Sequence, residues 1–210
     1  VVPFSLGPTW DRNPFWTGPR DPEGYILPEL TLGWQILRWI SDNRLADETD
    51  ENGQKVPFRL TAEQARFILW FYAIDESGRF LYREYVLQRL KGWGKDPLAA
   101  AIAAVEFVGP CRFAGWTPVD RPDLDLVRGD PIAKPHPRAW IQVAAVSLEQ
   151  TKNTMQLFNG LFTEACMAKH GIDPGKTVVY AYAGQKRIEA VTSSPASLEG
   201  NRPTLVIKNE

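Results

Sequence analysis

From Gln88 to Val108 the chain reads QRLKGWGKDPLAAAIAAVEFV, and this junction constrains the fold more than any other segment. The glycines at 92 and 94 permit backbone conformations closed to other residues. Pro97 is tolerated in the first turn of a helix but not in its interior. The alanine-rich run from Pro97 to about Phe107 therefore reads as a helix, and the stretch before the glycines, FLYREYVLQR, alternates like a strand. Strand, glycine loop and helix is the expected order.

Composition narrows the class without choosing a function. The 210 residues are 44% hydrophobic and 23% charged, enough for one sizeable core. The net charge is -1 and the pI about 6.2, so no global field recruits nucleic acid, and any DNA contact would come from a local patch. Cys111 and Cys166 are too few for a disulfide framework and lack metal-ligand spacing, which favours a reducing cytoplasm and inert packing roles. The longest apolar run, Pro97 to Val108, contains Glu106 and falls short of the roughly 20 residues that span a bilayer, so no membrane is expected. No signal peptide is expected either. A start without methionine and an end on Glu210, directly after a strand-like run, are what an excerpt of a longer protein would give.

Two regions are expected along the chain, 1–56 and 57–210. The first opens with a Pro-, Gly- and Trp-rich arm to about residue 28, continues as a helix from Pro28 to about Leu45, where Leu30, Trp34, Leu37 and Ile40 recur at helical spacing, and ends in an acidic linker, ADETDENGQK. The second alternates helices with strands. LTAEQARFILWFYAI reads as a helix capped by Thr61; the glycine loop and its helix follow, then a proline-rich excursion over 109–138. Beyond it come a strand AWIQVAAVS, a long helix from Leu148 to His170, strands TVVYAYA and RIEAVTS, a loop, and a final strand TLVIKNE. Such alternation argues for an α/β sheet with helices on its faces.

The glycine loop carries the most chemistry. A polyphosphate is cradled economically by a tight loop whose backbone N–H groups point inward, closed by a helix N-terminus, with a lysine after the last glycine on the β/γ-phosphates. Lys95 fits that role, and Arg89 or Lys91 can add a second cation. Arg89 occupies the place of the usual first glycine, and Asp96 the place of the magnesium-binding Ser or Thr. The plain alternative is a glycine turn with Asp96 as helix cap and Pro97 in the first turn. The final strand supplies a second element: it ends in Asn209-Glu210, where Glu210 can polarise water and Asn209 stands in for the usual metal-holding Asp. Its plain alternative is a strand running out into solvent.

The ordered segments LTAEQARFILWFY, QRLKGWGKDPLAAAIAA, WIQVAAVSLEQTKNTMQLF and SLEGNRPTLVIKNE resemble the ATPase domain of tailed-phage terminase large subunits, particularly forms from phages of actinobacteria, over about residues 57–210. The resemblance implies a P-loop NTPase of the ASCE type: a three-layer sandwich with a mainly parallel central sheet, preceded here by the arm and helix. It implies an ATP hydrolase that uses ATP and Mg2+ to drive double-stranded DNA through a portal protein into a capsid. Its other implied partners are a small terminase subunit and further copies of itself in a ring, in the cytoplasm of the host bacterium. By position, Gln64 corresponds to an adenine-contacting glutamine, although a surface helix glutamine is the plain reading. Lys91, Gly92, Trp93, Gly94, Lys95 and Asp96 correspond to the phosphate loop, and Glu210 to the catalytic carboxylate. Arg202 and Arg187 are candidates for an arginine finger, neither at a matching position. No nuclease activity is expected of this chain.

The two departures can offset each other, since Asp96 adds a carboxylate at the loop while Asn209 removes one at the strand end; on that reading both hold the metal. The rival from another class is a non-catalytic nucleotide- or protein-binding α/β module, to which eight tryptophans would lend docking surface. Lys134, His136 and Arg138 form a small basic cluster that could touch DNA phosphates, against the plain reading of a solvated loop.

Overall fold

The computed structural model describes residues 27–124, 126–145, 155–158, 160–192 and 202–209. The aromatic arm, the Ser147–Thr151 segment and Glu210 lie outside them. The chain groups into two interleaved units, a division that cuts across the 56/57 boundary. One comprises Arg59–Gln88, Pro110–Lys134 and the described residues up to Asp42; the other comprises Asn43–Phe58, Arg89–Gly109 and the described residues from Pro135 onward.

In the first unit, α1 (Gly33–Asn43) starts against the end of α2 (Ala62–Phe71). Gly33 permits the approach: a Cβ there would sit 2.8 Å from the Leu69 Cα. Beside it the Thr31 hydroxyl donates to the Leu69 carbonyl at 2.7 Å and accepts from the Gly33 N–H at 2.9 Å. The helix expected from Pro28 thus begins five residues later, because Thr31 is committed to a bridge with Ala73. On α1, Gln35 holds the excursion by donating to the Pro131 carbonyl at 2.7 Å and accepting from the Ala133 N–H at 3.1 Å. The excursion is not irregular throughout, since β3 (Pro110–Trp116) and β4 (Pro131–Pro135) pair as a two-stranded ribbon.

FLYREYVLQR is not a strand. Its Tyr85 ring stacks on Phe71 at 4.5 Å and its hydroxyl donates to the Trp70 carbonyl at 2.9 Å, with burial pushing the phenol up to about 12. The side chains that suggested alternation pack on α2 or are left in solvent, where Leu81 and Val86 are 46% and 92% exposed.

The second unit holds a five-stranded sheet in the order β6-β7-β8-β5-β9. Its strands are β5 (Trp140–Ala145), β6 (Asp173–Pro174), β7 (Val178–Ala181), β8 (Lys186–Thr192) and β9 (Leu205–Asn209). Strands β8, β5 and β9 run parallel, while β6 and β7 join antiparallel. The class is α/β, and the sheet is small and mixed. Helix α3 (Lys95–Val108) lies against β5, β8 and β9. Ile141, Val143 and Ile188 are buried in the sheet, and the alanines of α3 let its backbone come close.

The segment read as an acidic linker is a hairpin of β1 (Leu45–Thr49) and β2 (Lys55–Pro57). Its turn is closed by Asp50, whose carboxylate accepts the N–H groups of Asn52 and Gln54 at 2.9 and 2.8 Å. Of the long helix expected to reach His170, residues 155–156 are helical, 157–158 turn, and α4 (Glu164–His170) is a separate helix. Phe162 instead bridges to Arg44, and Thr163 caps α4 by accepting from the Cys166 N–H at 3.2 Å.

Candidate functional site

The site is built on the start of α3. Gly92 and Gly94 both sit in left-handed conformations, at φ 86° and 92°, which explains two glycines so close together. Gly94 is the N-cap of α3 and offers no side-chain hydrogen bond to it. The helical ladder opens with the Leu98 N–H donating to the Gly94 carbonyl at 3.2 Å. The N–H groups of Lys95 and Asp96 therefore lie outside that ladder, and Pro97 has none to place. Asp96 is not the cap: it stands in the first turn, where the helix dipole favours a carboxylate, and is exposed.

The loop closes on itself. The Lys95 ammonium folds back to donate to the Arg89 carbonyl at 2.7 Å and to that of Leu90 at 3.4 Å. The Arg89 guanidinium lies over the Trp93 ring, 5.4 Å from its centre, and the Trp93 N–H donates to the Leu90 carbonyl at 3.4 Å. Lys91 and Gly92 form the exposed tip. A lysine, an arginine and a helix N-terminus thus converge on one short loop, an arrangement suited to a polyanion.

The other expected residues are distributed as follows. Gln64 belongs to the first unit, and it is not a surface glutamine but 5% exposed. Its Oε1 accepts the Thr61 N–H at 3.0 Å while its own N–H donates to the Thr61 hydroxyl at 3.2 Å, a complete capping box. Asn209 ends β9 beside Ala145 of β5. Arg187 lies in β8, over the Trp140 ring at 4.1 Å and 3.2 Å from a Glu189 carboxylate oxygen, so it is held within its own sheet. Arg202 is exposed just before β9. His136 accepts the Arg138 N–H at 3.1 Å, a local turn within the basic cluster.

Sequence reasoning missed Arg44. It is only 2% exposed, and its Nη1 donates to the Pro97 carbonyl, in the first turn of α3, at 3.0 Å. Burial pushes its guanidinium down to about 9. A lone arginine at the end of a helix gives no sign in sequence that it will be buried. Cys166 is buried as expected, and that burial pushes its thiol up to about 11, consistent with an inert packing residue.

No protein-family model matches the chain. It is 44% identical to the Gene 13 protein of Mycobacterium phage L5 over 224 aligned residues, and 42% identical to the Gene 13 protein of Mycobacterium phage D29 over 225. Each alignment covers 99% of this chain and 35% of the relative, so the chain spans about a third of their length. The structure superposes on the large terminase of bacteriophage HK97 with a TM-score of 0.57, at 20% identity, covering 86% of this chain and 31% of that one. The fold is terminase-like. It is the fold that this likeness speaks to. No helix among the described residues is long and apolar enough to cross a membrane.

Proposed function

We propose that the protein is the ATPase part of a DNA-packaging motor, a terminase large subunit that hydrolyses ATP to drive double-stranded DNA into a procapsid. The observation that carries the proposal is the start of α3: a glycine loop, an N-cap without a side-chain bond, and Lys95 folded across the loop. The terminase-like fold supports it, as does the packing of α3 on the parallel strands β8, β5 and β9, the arrangement a P-loop sandwich of the ASCE type would use.

On this reading ATP enters with its β- and γ-phosphates at the loop. Lys95 exchanges the carbonyls of Arg89 and Leu90 for phosphoryl oxygens, and the N–H groups at the helix start take others. Glu210 polarises the attacking water. The residues fit a metal that arrives with its nucleotide. Among the described residues no group of three His, Cys, Asp or Glu could hold an ion alone, while Asp96 sets one exposed carboxylate beside Lys95. When bound, Mg2+ neutralises charge across the transferring phosphoryl group. Asp96 and the Asn209 amide oxygen would hold it. The partners are double-stranded DNA, the portal protein, the small terminase subunit and further copies in a ring, at the procapsid in the host cytoplasm.

The test is DNA-stimulated ATP turnover by the protein beside Glu210→Gln. The expected result is that the variant binds ATP and no longer turns it over; turnover equal to the parent contradicts the assignment. One observation favours the rival, a non-catalytic nucleotide-binding module: Lys95 is already satisfied by the loop's own carbonyls. Such a module would bind ATP with no turnover in any assembly.

A further inference from the structure

Arg44 is placed where a buried cation has least to gain from the protein itself. Its backbone is fixed, with the carbonyl accepting the Phe58 N–H at 2.9 Å and a bridge to Phe162 on its other side. Its side chain enters the interior, the guanidinium 4.4 Å from the centre of the Phe58 ring and Nη1 on the Pro97 carbonyl. Nε has no hydrogen-bond partner, and no carboxylate among the described residues pairs with the group. A guanidinium carries five N–H donors, and burying it without a counter-charge is costly. The setting makes this worse, because Pro97 lies in the first turn of α3 and the N-terminal end of a helix dipole is positive. Ring and carbonyl stabilise the guanidinium in part, but no counter-charge neutralises it, two residues along α3 from Lys95.

An anion at the start of α3 resolves both problems at once. We propose that Arg44 is a second, buried cation of the nucleotide site, set behind the first turn of α3, where its unneutralised charge favours phosphates at the loop. The inference rests on the nucleotide reading of the loop and adds a residue to it. It gives the hairpin a part in the site as well, since Arg44 immediately precedes β1 and pairs with Phe58, the residue after β2.

The experiment compares the parent, Arg44→Met, Arg44→Gln and Lys95→Ala for equilibrium binding of ATP with magnesium and of tripolyphosphate, and for melting temperature without ligand. Arg44→Met replaces an uncompensated buried charge by an apolar chain of similar reach, so it is expected to melt at or above the parent. It should bind both probes about tenfold more weakly or worse, the scale of one buried charge acting on a polyphosphate. Arg44→Gln keeps a donor for the Pro97 carbonyl without the charge and should show the same loss. ATP affinity equal to the parent in either variant, or an Arg44→Met protein that melts well below the parent or fails to fold, overturns the inference and assigns Arg44 to the fold alone. If Lys95→Ala loses binding while both Arg44 variants keep it, the nucleotide reading stands and this inference falls. If the parent binds neither probe, the nucleotide reading fails and takes the inference with it.

Discussion

Two helices of this chain begin in opposite ways. At α2, Thr61 and Gln64 exchange hydrogen bonds so that the helix end is sealed by its own residues. At α3, the cap is a left-handed glycine with no side chain to give, and the Lys95 ammonium folds back onto the Arg89 carbonyl. α4 repeats the sealed form, with Thr163 accepting from the Cys166 N–H. The chain contains good side-chain caps and uses them at α2 and α4. The difference teaches that α3 forgoes a capping bond, typically worth about 1 kcal/mol, at the end where cations gather and an anion could do the capping.

Four changes would break or sharpen that contrast, in falling order of effect. Asp96→Ser should abolish magnesium-dependent ATP turnover, and adding Asn209→Asp should restore part of it; turnover in the single variant equal to the parent would end the idea that these two positions have exchanged roles. Gly94→Val forces a branched side chain into a φ of 92° and should cost about 2 kcal/mol, seen as a lower melting temperature together with weaker ATP binding. If only stability drops, the loop is not the ligand site. Thr61→Ala should cost about 1 kcal/mol in denaturant unfolding and leave ATP affinity unchanged. Gln64→Ala separates two roles: equal loss of stability with unchanged affinity would leave Gln64 as a cap only, whereas weaker ATP but not tripolyphosphate binding would support adenine contact.

The smallest effect comes from the far end of α4. Burial, then Lys169 and Lys186, hold His170 below its usual pKa. The unfolded chain then binds more protons than the folded one, so stability should fall as pH drops through the unfolded value near 6.5. His170→Gln should flatten that slope, as read from melting temperature against pH.

The contrast also marks what was legible in the sequence. Thr61 announced α2 because a cap is a local signal, although Gln64 closing the box with it went unread, and the alanine run announced α3 to within two residues at its start. The glycine spacing likewise pointed to left-handed backbone. The β1–β2 hairpin was hidden because its residues are mostly polar and its pairing is decided across the turn. FLYREYVLQR misled in the other direction: a period of two records which side chains find cover, and here Tyr85 finds it on α2 with no strand alongside. Arg44 was invisible because its burial depends on Phe58, Phe162 and Pro97, which come together only in the fold.

The most direct test of the central claim, that the start of α3 is open in order to receive a polyphosphate, is equilibrium binding of ATP with magnesium to the protein and to Lys95→Ala. The account predicts saturable binding by the parent and a loss of about a hundredfold in the variant at unchanged melting temperature, the scale of one charged contact on a phosphate. Equal affinities, or no binding by either protein, would contradict it.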